Sequence, residues 1–167
     1  SYTGGFSVFG AMGGATNVVS VDIAKNAVLA ANRNFEVNDL KTKHEAICED
    51  AFLFIDQSVK QKLKFDVVVT DPPSFAPNQK AKEKAEEAYI KVYSDSLKLV
   101  KDNGLFVASS CSSHINHAHF LDILKETFSK SRKRGTLVYC GGQPFDHPYP
   151  LAMEELRYLK FALFRVD

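Results

Sequence analysis

Several things are scarce or missing in this sequence, and each absence narrows what the chain can be. Charge of one sign is missing: 21 Lys and Arg stand against 20 Asp and Glu in 167 residues. Net charge therefore names no polyanionic partner, and any nucleic-acid contact must rest on local patches. No apolar run approaches the length that spans a bilayer, so no membrane partner is expected. No signal-peptide pattern opens the chain, which begins Ser1-Tyr2-Thr3-Gly4-Gly5. Internal repeats and low-complexity tracts are absent. Cysteines number three, Cys48, Cys111 and Cys140. That odd set, without metal-ligand spacing, reads as reduced thiols in a cytoplasmic protein with no bound metal. What remains, 45% apolar and 25% charged residues, suits one domain, residues 1–167, with one core.

Short apolar runs alternate with helix-length periodic stretches. Residues 16–22, rich in Val, read as a strand, and 24–37 as a helix with Ala27, Val28, Ala31 and Phe35 on one face. Residues 44–50 form a weaker strand and 52–62 a short amphipathic helix. The run Phe65-Asp66-Val67-Val68-Val69-Thr70-Asp71 is the clearest strand, β-branched as expected when both faces of a parallel sheet are covered. A long helix is expected over 82–101, stopped by Asn103-Gly104. A strand follows over 105–110, then a helix over 115–129. Strands over 136–140 and 158–166 are joined by a Pro-rich loop with no helix between them, so they are expected to pair antiparallel. The whole is an α/β, Rossmann-like, doubly wound sheet, parallel with an antiparallel C-terminal pair.

In such sheets the ligand lies beyond the carboxyl ends of the strands. Those ends deliver Asp22-Ile23, Asp50-Ala51-Phe52, Asp71-Pro72-Pro73-Ser74-Phe75 and Cys111-Ser112-Ser113-His114. Three successive ends carry an aspartate and the fourth a thiol. The Gly-rich opening, Tyr2-Thr3-Gly4-Gly5-Phe6-Ser7, lets backbone approach a ligand closely, although a plain turn is the competing reading. Asp22 stands where an acidic residue meets ribose hydroxyls in mononucleotide-binding folds. Asp50, with Ala51, would meet an adenine edge while Ile23 covers the ring face. Both aspartates have a second reading as helix N-caps.

Taken together, Ser1 to Ser7, Val21-Asp22, Asp71-Pro72-Pro73-Ser74-Phe75, Ser110-Cys111-Ser112-Ser113-His114, His147-Pro148 and Tyr158-Leu159-Lys160 carry a likeness. The chain resembles the large-subunit ribosomal RNA methyltransferase I family, class I S-adenosylmethionine-dependent enzymes specific for carbon 5 of cytosine. The resemblance implies S-adenosyl-L-methionine as cofactor, bound by Tyr2, Thr3, Gly4, Gly5, Phe6, Asp22, Ile23, Asp50, Ala51 and Asp71. It implies RNA, in particular ribosomal RNA, as partner. Family members carry an N-terminal PUA domain and a linking β-rich domain, neither of which is in this sequence, and a strand ahead of Tyr2. The expectation is an N-terminally truncated domain that binds cofactor poorly, with sheet edges open to a homodimer.

Cysteine chemistry at carbon 5 needs a thiolate held against the ring. Position and resemblance together make Cys111 the nucleophile, against the ordinary reading of a free cysteine as a small buried apolar residue. Asp71 would share a proton with the base. Pro72 and Pro73 stiffen the loop, with the Pro72 carbonyl free to accept from a base amine. Phe75 is expected either to stack on an extruded base or to pack in the core. His114 is the candidate base for the carbon 5 proton. Cys48 and Cys140 are read as structural, and His117 and His119 as solvated. The stretch Lys130-Ser131-Arg132-Lys133-Arg134 and the group Lys80, Lys82 and Lys84 are the basic patches, either phosphate contacts or solvated faces. Two alternatives stand beside this reading. One is methylation of a guanine or adenine nitrogen, which needs no cysteine, and the other is a catalytically inactive module.

Overall fold

A computed structural model describes residues 1–75 and 82–167. The chain divides into two compact units, Ser1–Ser58 and Val59–Asp167. The first unit runs α1 (Gly5–Met12), β1 (Asn17–Asp22), α2 (Lys25–Val37), β2 (Lys43–Cys48) and the body of α3 (Ala51–Lys60). Strands β1 and β2 pair in parallel, Val19 opposite Glu45 and Asp22 opposite Cys48. The apolar spacing in α2 buries Ala27, Val28, Ala31 and Phe35 together, as its 3.6-residue period requires. Phe35 joins Val8 and Ala11 in a core flanked by Val18 and Leu40. The His44 ring stacks on Phe35 with centroids 3.8 Å apart, and its Nε2 meets the Ser20 hydroxyl at 2.9 Å.

The second unit holds β3 (Phe65–Thr70), α4 (Lys82–Leu97), β4 (Val100–Ser110), α5 (His117–Ser131), β5 (Gly135–Gly141) and β6 (Lys160–Val166). Its sheet has the order β3-β4-β6-β5. Strand β3 runs parallel to β4, while β6 lies antiparallel to both β4 and β5. The antiparallel C-terminal pair expected from the missing helix is therefore present. Helices α4 and α5 pack through an aromatic chain: Tyr89 on Tyr93, Tyr93 edge-on to Phe106 and Phe120, and Phe128 against Phe106 and Phe164. Edge-to-face geometry sets the positive ring edge against the negative ring face, which adds to the area buried.

Two expectations need correction. The long helix stops at Leu97, not at Asn103-Gly104, and β4 begins at Val100. The pairing explains why. Phe65 faces Val100 and Val67 faces Leu105, so residues 101–104 bulge from the ladder. Asn103 takes a positive φ of 62° there. A Cβ on Gly104 would lie 2.9 Å from the carbonyl oxygens of Asp66 and Lys101. The pair that looked like a helix stop is a bulge inside a strand. The second correction concerns β3, whose Val67 and Val69 remain 52% and 38% exposed rather than covered on both faces. Within this unit it is β4 that is buried on both sides, at Phe106, Val107, Ala108, Ser109 and Ser110.

Phe120 is fully buried where α5 meets α4. Phe120→Ala is expected to destabilise the protein by about 3–5 kcal/mol, read as a lower urea midpoint by circular dichroism.

Candidate active site

In the first unit the opening turn is built on Gly4, whose φ is 78°. A Cβ there would come within 2.8 Å of the Ala31 Cβ on α2, so both the dihedral and the packing demand glycine. Gly5 starts α1, and the space where its Cβ would be is open to 4 Å. Backbone amides at a helix start with no side chain over them can face an anionic or polar ligand directly. Tyr2 and Phe6 are exposed and Thr3 is half-buried. The Thr3 carbonyl accepts from Asn34 at 2.8 Å, which ties the turn to α2.

Asp22, the last residue of β1, organises this turn. Its Oδ2 accepts from the amide of Tyr2 at 2.7 Å and the nitrogen of Ser1 at 3.0 Å, and its Oδ1 from the amide of Ala24 at 3.0 Å. Burial pushes this carboxyl up, but the bonds from Ala24, Tyr2 and Ser1 outweigh it and hold it below the usual carboxylate range. Asp22 is not a helix N-cap: that position belongs to Ala24, whose side chain makes no cap bond. Asp50 does cap, accepting from the amides of Phe52 at 2.9 Å and Leu53 at 3.1 Å, both on Oδ1. Ile23 is 70% exposed next to Asp22, an apolar surface without cover in its own unit.

In the second unit β3 and β4 end side by side. Thr70 is paired with Ala108, which places Asp71 next to Ser109, and the Ser109 hydroxyl donates to Asp71 Oδ1. Cys111, one residue beyond β4, is a free, half-buried thiol. Tyr93 donates to the Ser109 carbonyl at 2.6 Å, and Ser110 donates to the Tyr89 hydroxyl at 3.3 Å. Burial raises both tyrosines above their ordinary value, and the charges of Asp71 and Cys111 push the same way. Asp71, Cys111, Tyr89 and Tyr93 therefore share one neighbourhood. Phe75 is half-buried with its ring edge-on to Tyr89 at 4.9 Å, so the packing reading of this residue holds for part of its surface. Pro72 is half-buried and Pro73 exposed.

Lys160 lies in the Tyr158-Leu159-Lys160 stretch, which by itself gives the lysine no role. It opens β6 opposite Ser110, is 4% exposed, and donates to the Ser112 carbonyl and, at 2.6 Å, to the Tyr158 carbonyl. Burial lowers it to about 8, and the charge of Cys111 pulls in the opposite direction. The signal in the sequence was a lysine heading the alternating run Lys160-Phe161-Ala162-Leu163-Phe164 on the face that also holds Ala162 and Phe164. The serines flanking Cys111 are bonded within the same stretch of chain. Ser110 and Ser112 are buried in the turn, and the Ser112 amide donates to Ser110 Oγ at 3.4 Å.

The remaining candidates have the following places. His119 is not solvated but pairs with Glu86 at 2.8 Å, and exposed His117 lies 3.1 Å from the Cys140 sulfur. Cys48 is exposed, its thiol 3.6 Å from the Ile23 carbonyl. In the basic stretch Lys130 pairs with Glu126, and Lys133, its side chain 18% exposed, pairs with Asp102. Lys84 is exposed; Lys80 lies outside the described residues. Among the described residues no helix is long and apolar enough to cross a membrane.

A family model described as a methyltransferase domain matches residues 3–155. A ribosomal RNA large subunit methyltransferase of Deinococcus radiodurans is 32% identical, covering 100% of this chain and 41% of its own length. A ribosomal RNA large subunit methyltransferase I of Aeromonas hydrophila is also 32% identical, over 98% of this chain and 42% of its own length. The chain thus spans about two fifths of the curated relatives it matches. A crystal structure described as "a putative methyltransferase complexed with SAH" superposes with a TM-score of 0.85 at 31% identity, over 99% of this chain and 43% of that one.

Gly4→Ala is expected to cost about 1–3 kcal/mol through the strained φ and the push against Ala31, measured by urea titration. Lys160 gives a prediction with a sign. Folded, it releases its proton near 8; unfolded, near 10.5. Between those values the unfolded chain binds more protons, so stability rises with pH. Relative to Lys160→Met, the parent protein should gain stability from pH 8 to pH 10.5, tested by urea midpoints across that range.

Proposed function

The chain belongs to the methyltransferase-domain family and has the class I S-adenosylmethionine-dependent fold, and from that premise we propose that it methylates carbon 5 of a cytosine in large-subunit ribosomal RNA. The observation that carries this reading is the pairing of β3 with β4, which sets the Asp71 carboxylate and the Cys111 thiol on neighbouring strand ends. The relatives' names supply the substrate class. The family match runs through both units, which supports one methyltransferase domain over residues 1–167.

S-adenosyl-L-methionine supplies the electrophilic methyl group. The residues of the first unit suit such a ligand. Gly5 puts no side chain at the start of α1, with open space where a Cβ would stand, and Asp22 Oδ1 has accepted one bond and can take another from a ribose hydroxyl. Asp50 caps α3 through Oδ1, which leaves Oδ2 as the acceptor for an adenine amine. Tyr2, Thr3, Gly4 and Phe6 shape the turn, and Ile23 and Ala51 offer apolar contact to the adenine.

Cytosine carbon 5 is a weak nucleophile. The Cys111 thiolate would add to carbon 6, forming a carbon–sulfur bond and moving the ring electrons to carbon 5, the atom that would take the methyl group as that group's bond to the donor's sulfonium sulfur breaks and a neutral thioether leaves. Asp71 in its protonated form donates to ring nitrogen 3 as negative charge gathers there. A base removes the carbon 5 proton, and the electron pair expels the Cys111 thiolate. His114, half-buried in the turn after Cys111, is the candidate for that base. Pro72 offers its carbonyl to the exocyclic amine, Pro73 stiffens the same loop, and the exposed part of Phe75 can stack on the extruded ring. Thiolate chemistry of this kind belongs in a reducing compartment, which supports the cytoplasm as the place of action.

Cys111→Ala should lower methyl transfer to ribosomal RNA by about a thousandfold or more, followed with a radiolabelled methyl donor, while donor binding persists in calorimetry. Full activity in that variant would instead indicate methylation of a base nitrogen.

A further inference from the structure

Among the described residues Lys160 is the one buried cation beside the proposed nucleophile, and its surroundings are specific. Lysine ammonium groups are strongly hydrated, and burial without compensation drives them to lose the proton. This one is 4% exposed and is held by two backbone carbonyls, Ser112 on the turn after β4 and Tyr158 at the approach to β6. The antiparallel register sets Lys160 opposite Ser110, the residue before Cys111. The lysine thus grips the Cys111 turn on both sides, through the backbone pairing at 110 and the ammonium at 112. The groups acting on this neighbourhood are Asp71 after β3, Tyr89 and Tyr93 on α4, Cys111 itself and Lys160 on β6. The tyrosines are raised further above the physiological range, so Lys160 is the cation of the set.

We propose that Lys160 is the positioning residue for Cys111: its ammonium fixes the turn that presents the sulfur and holds the thiolate by charge. This inference rests on the reading of Cys111 as nucleophile. Two carbonyls occupy two of the three ammonium protons and leave net positive charge that no carboxylate hydrogen-bonds among the described contacts. In a partly dehydrated site that charge acts on the nearest anion with little screening. The attraction acts against burial, which lowers Lys160, because the charge of Cys111 raises it. Tyr89, bonded to Ser110, secures the other end of the turn.

The test uses Cys48→Ser/Cys140→Ser protein, so that Cys111 is the one thiol, and follows its alkylation by iodoacetamide at neutral pH. Lys160→Met, which removes charge and bonds, and Lys160→Gln, which keeps amide donors without charge, should both slow alkylation about threefold to tenfold. A rate unchanged in Lys160→Met overturns the proposal. So does a slow Lys160→Met beside a parent-like Lys160→Gln, since the bonds and not the charge would then act. The second arm needs no change at Lys160. In protein with isotope-labelled lysine, Cys111→Ala should lower the NMR titration midpoint of Lys160 by about half a unit to one unit. An unmoved midpoint overturns the proposal even where a Lys160 variant fails to fold. Both readouts are independent of catalysis. Cys111→Ala protein that still methylates RNA at full rate would therefore sink the cysteine chemistry while leaving the Lys160–Cys111 coupling separately measured.

Discussion

The parallel ladder between β3 and β4 is the constraint on which the candidate chemistry depends. Once Val67, Val68, Val69 and Thr70 pair with Leu105, Phe106, Val107 and Ala108, the end of β3 must fall beside the last residues of β4. Asp71 then meets the Ser109 hydroxyl without any loop having to find its place. The aromatic chain through Tyr93, Phe106 and Phe120 braces that ladder from beneath. Tyr93 does two jobs, since its ring packs in the core while its hydroxyl reaches the Ser109 carbonyl. Core and site are thereby one construction, and rigid elements position chemical groups more closely than loops do.

Most of the fold was legible in the sequence because its periods are clean. The α2 face, the valine strand at 65–70 and the antiparallel final pair all follow from spacing and from the missing helix between β5 and β6. The misreading at Asn103-Gly104 has a physical cause. Glycine after a residue suited to positive φ ends helices and also makes bulges, and only the partner strand decides between them. The exposure of Val67 and Val69 was illegible for a related reason: a β-branched run states that strand is favoured, not which faces are covered.

The site was legible to a lesser degree. Strand-end position brought out Asp22, Asp50, Asp71 and Cys111, since the ends of parallel strands are where such sheets bind ligands. It could not say that Asp22 would hold the opening turn through Oδ2 and the Ala24 amide through Oδ1, or that Asp50 would cap α3 through one oxygen. Those bonds join residues far apart in the chain or depend on a single rotamer. Lys160 escaped for a different reason. A lysine at a strand head is ordinarily solvated, and only the antiparallel return of β6 beside β4 buries it.

The bulge at 101–104 has a consequence for how this chain can vary. It lies between α4 and the part of β4 that pairs continuously up to the strand end. A residue gained or lost in the α4–β4 connection can therefore be taken up there, with Gly104 and the Lys101–Asp66 ion pair shifting, while Leu105 onward keeps its partners. The bulge works as an expansion joint. It isolates the spacing of Asp71, Ser109 and Cys111 from changes in helix length upstream, so related chains can differ in that connection and keep the same strand ends.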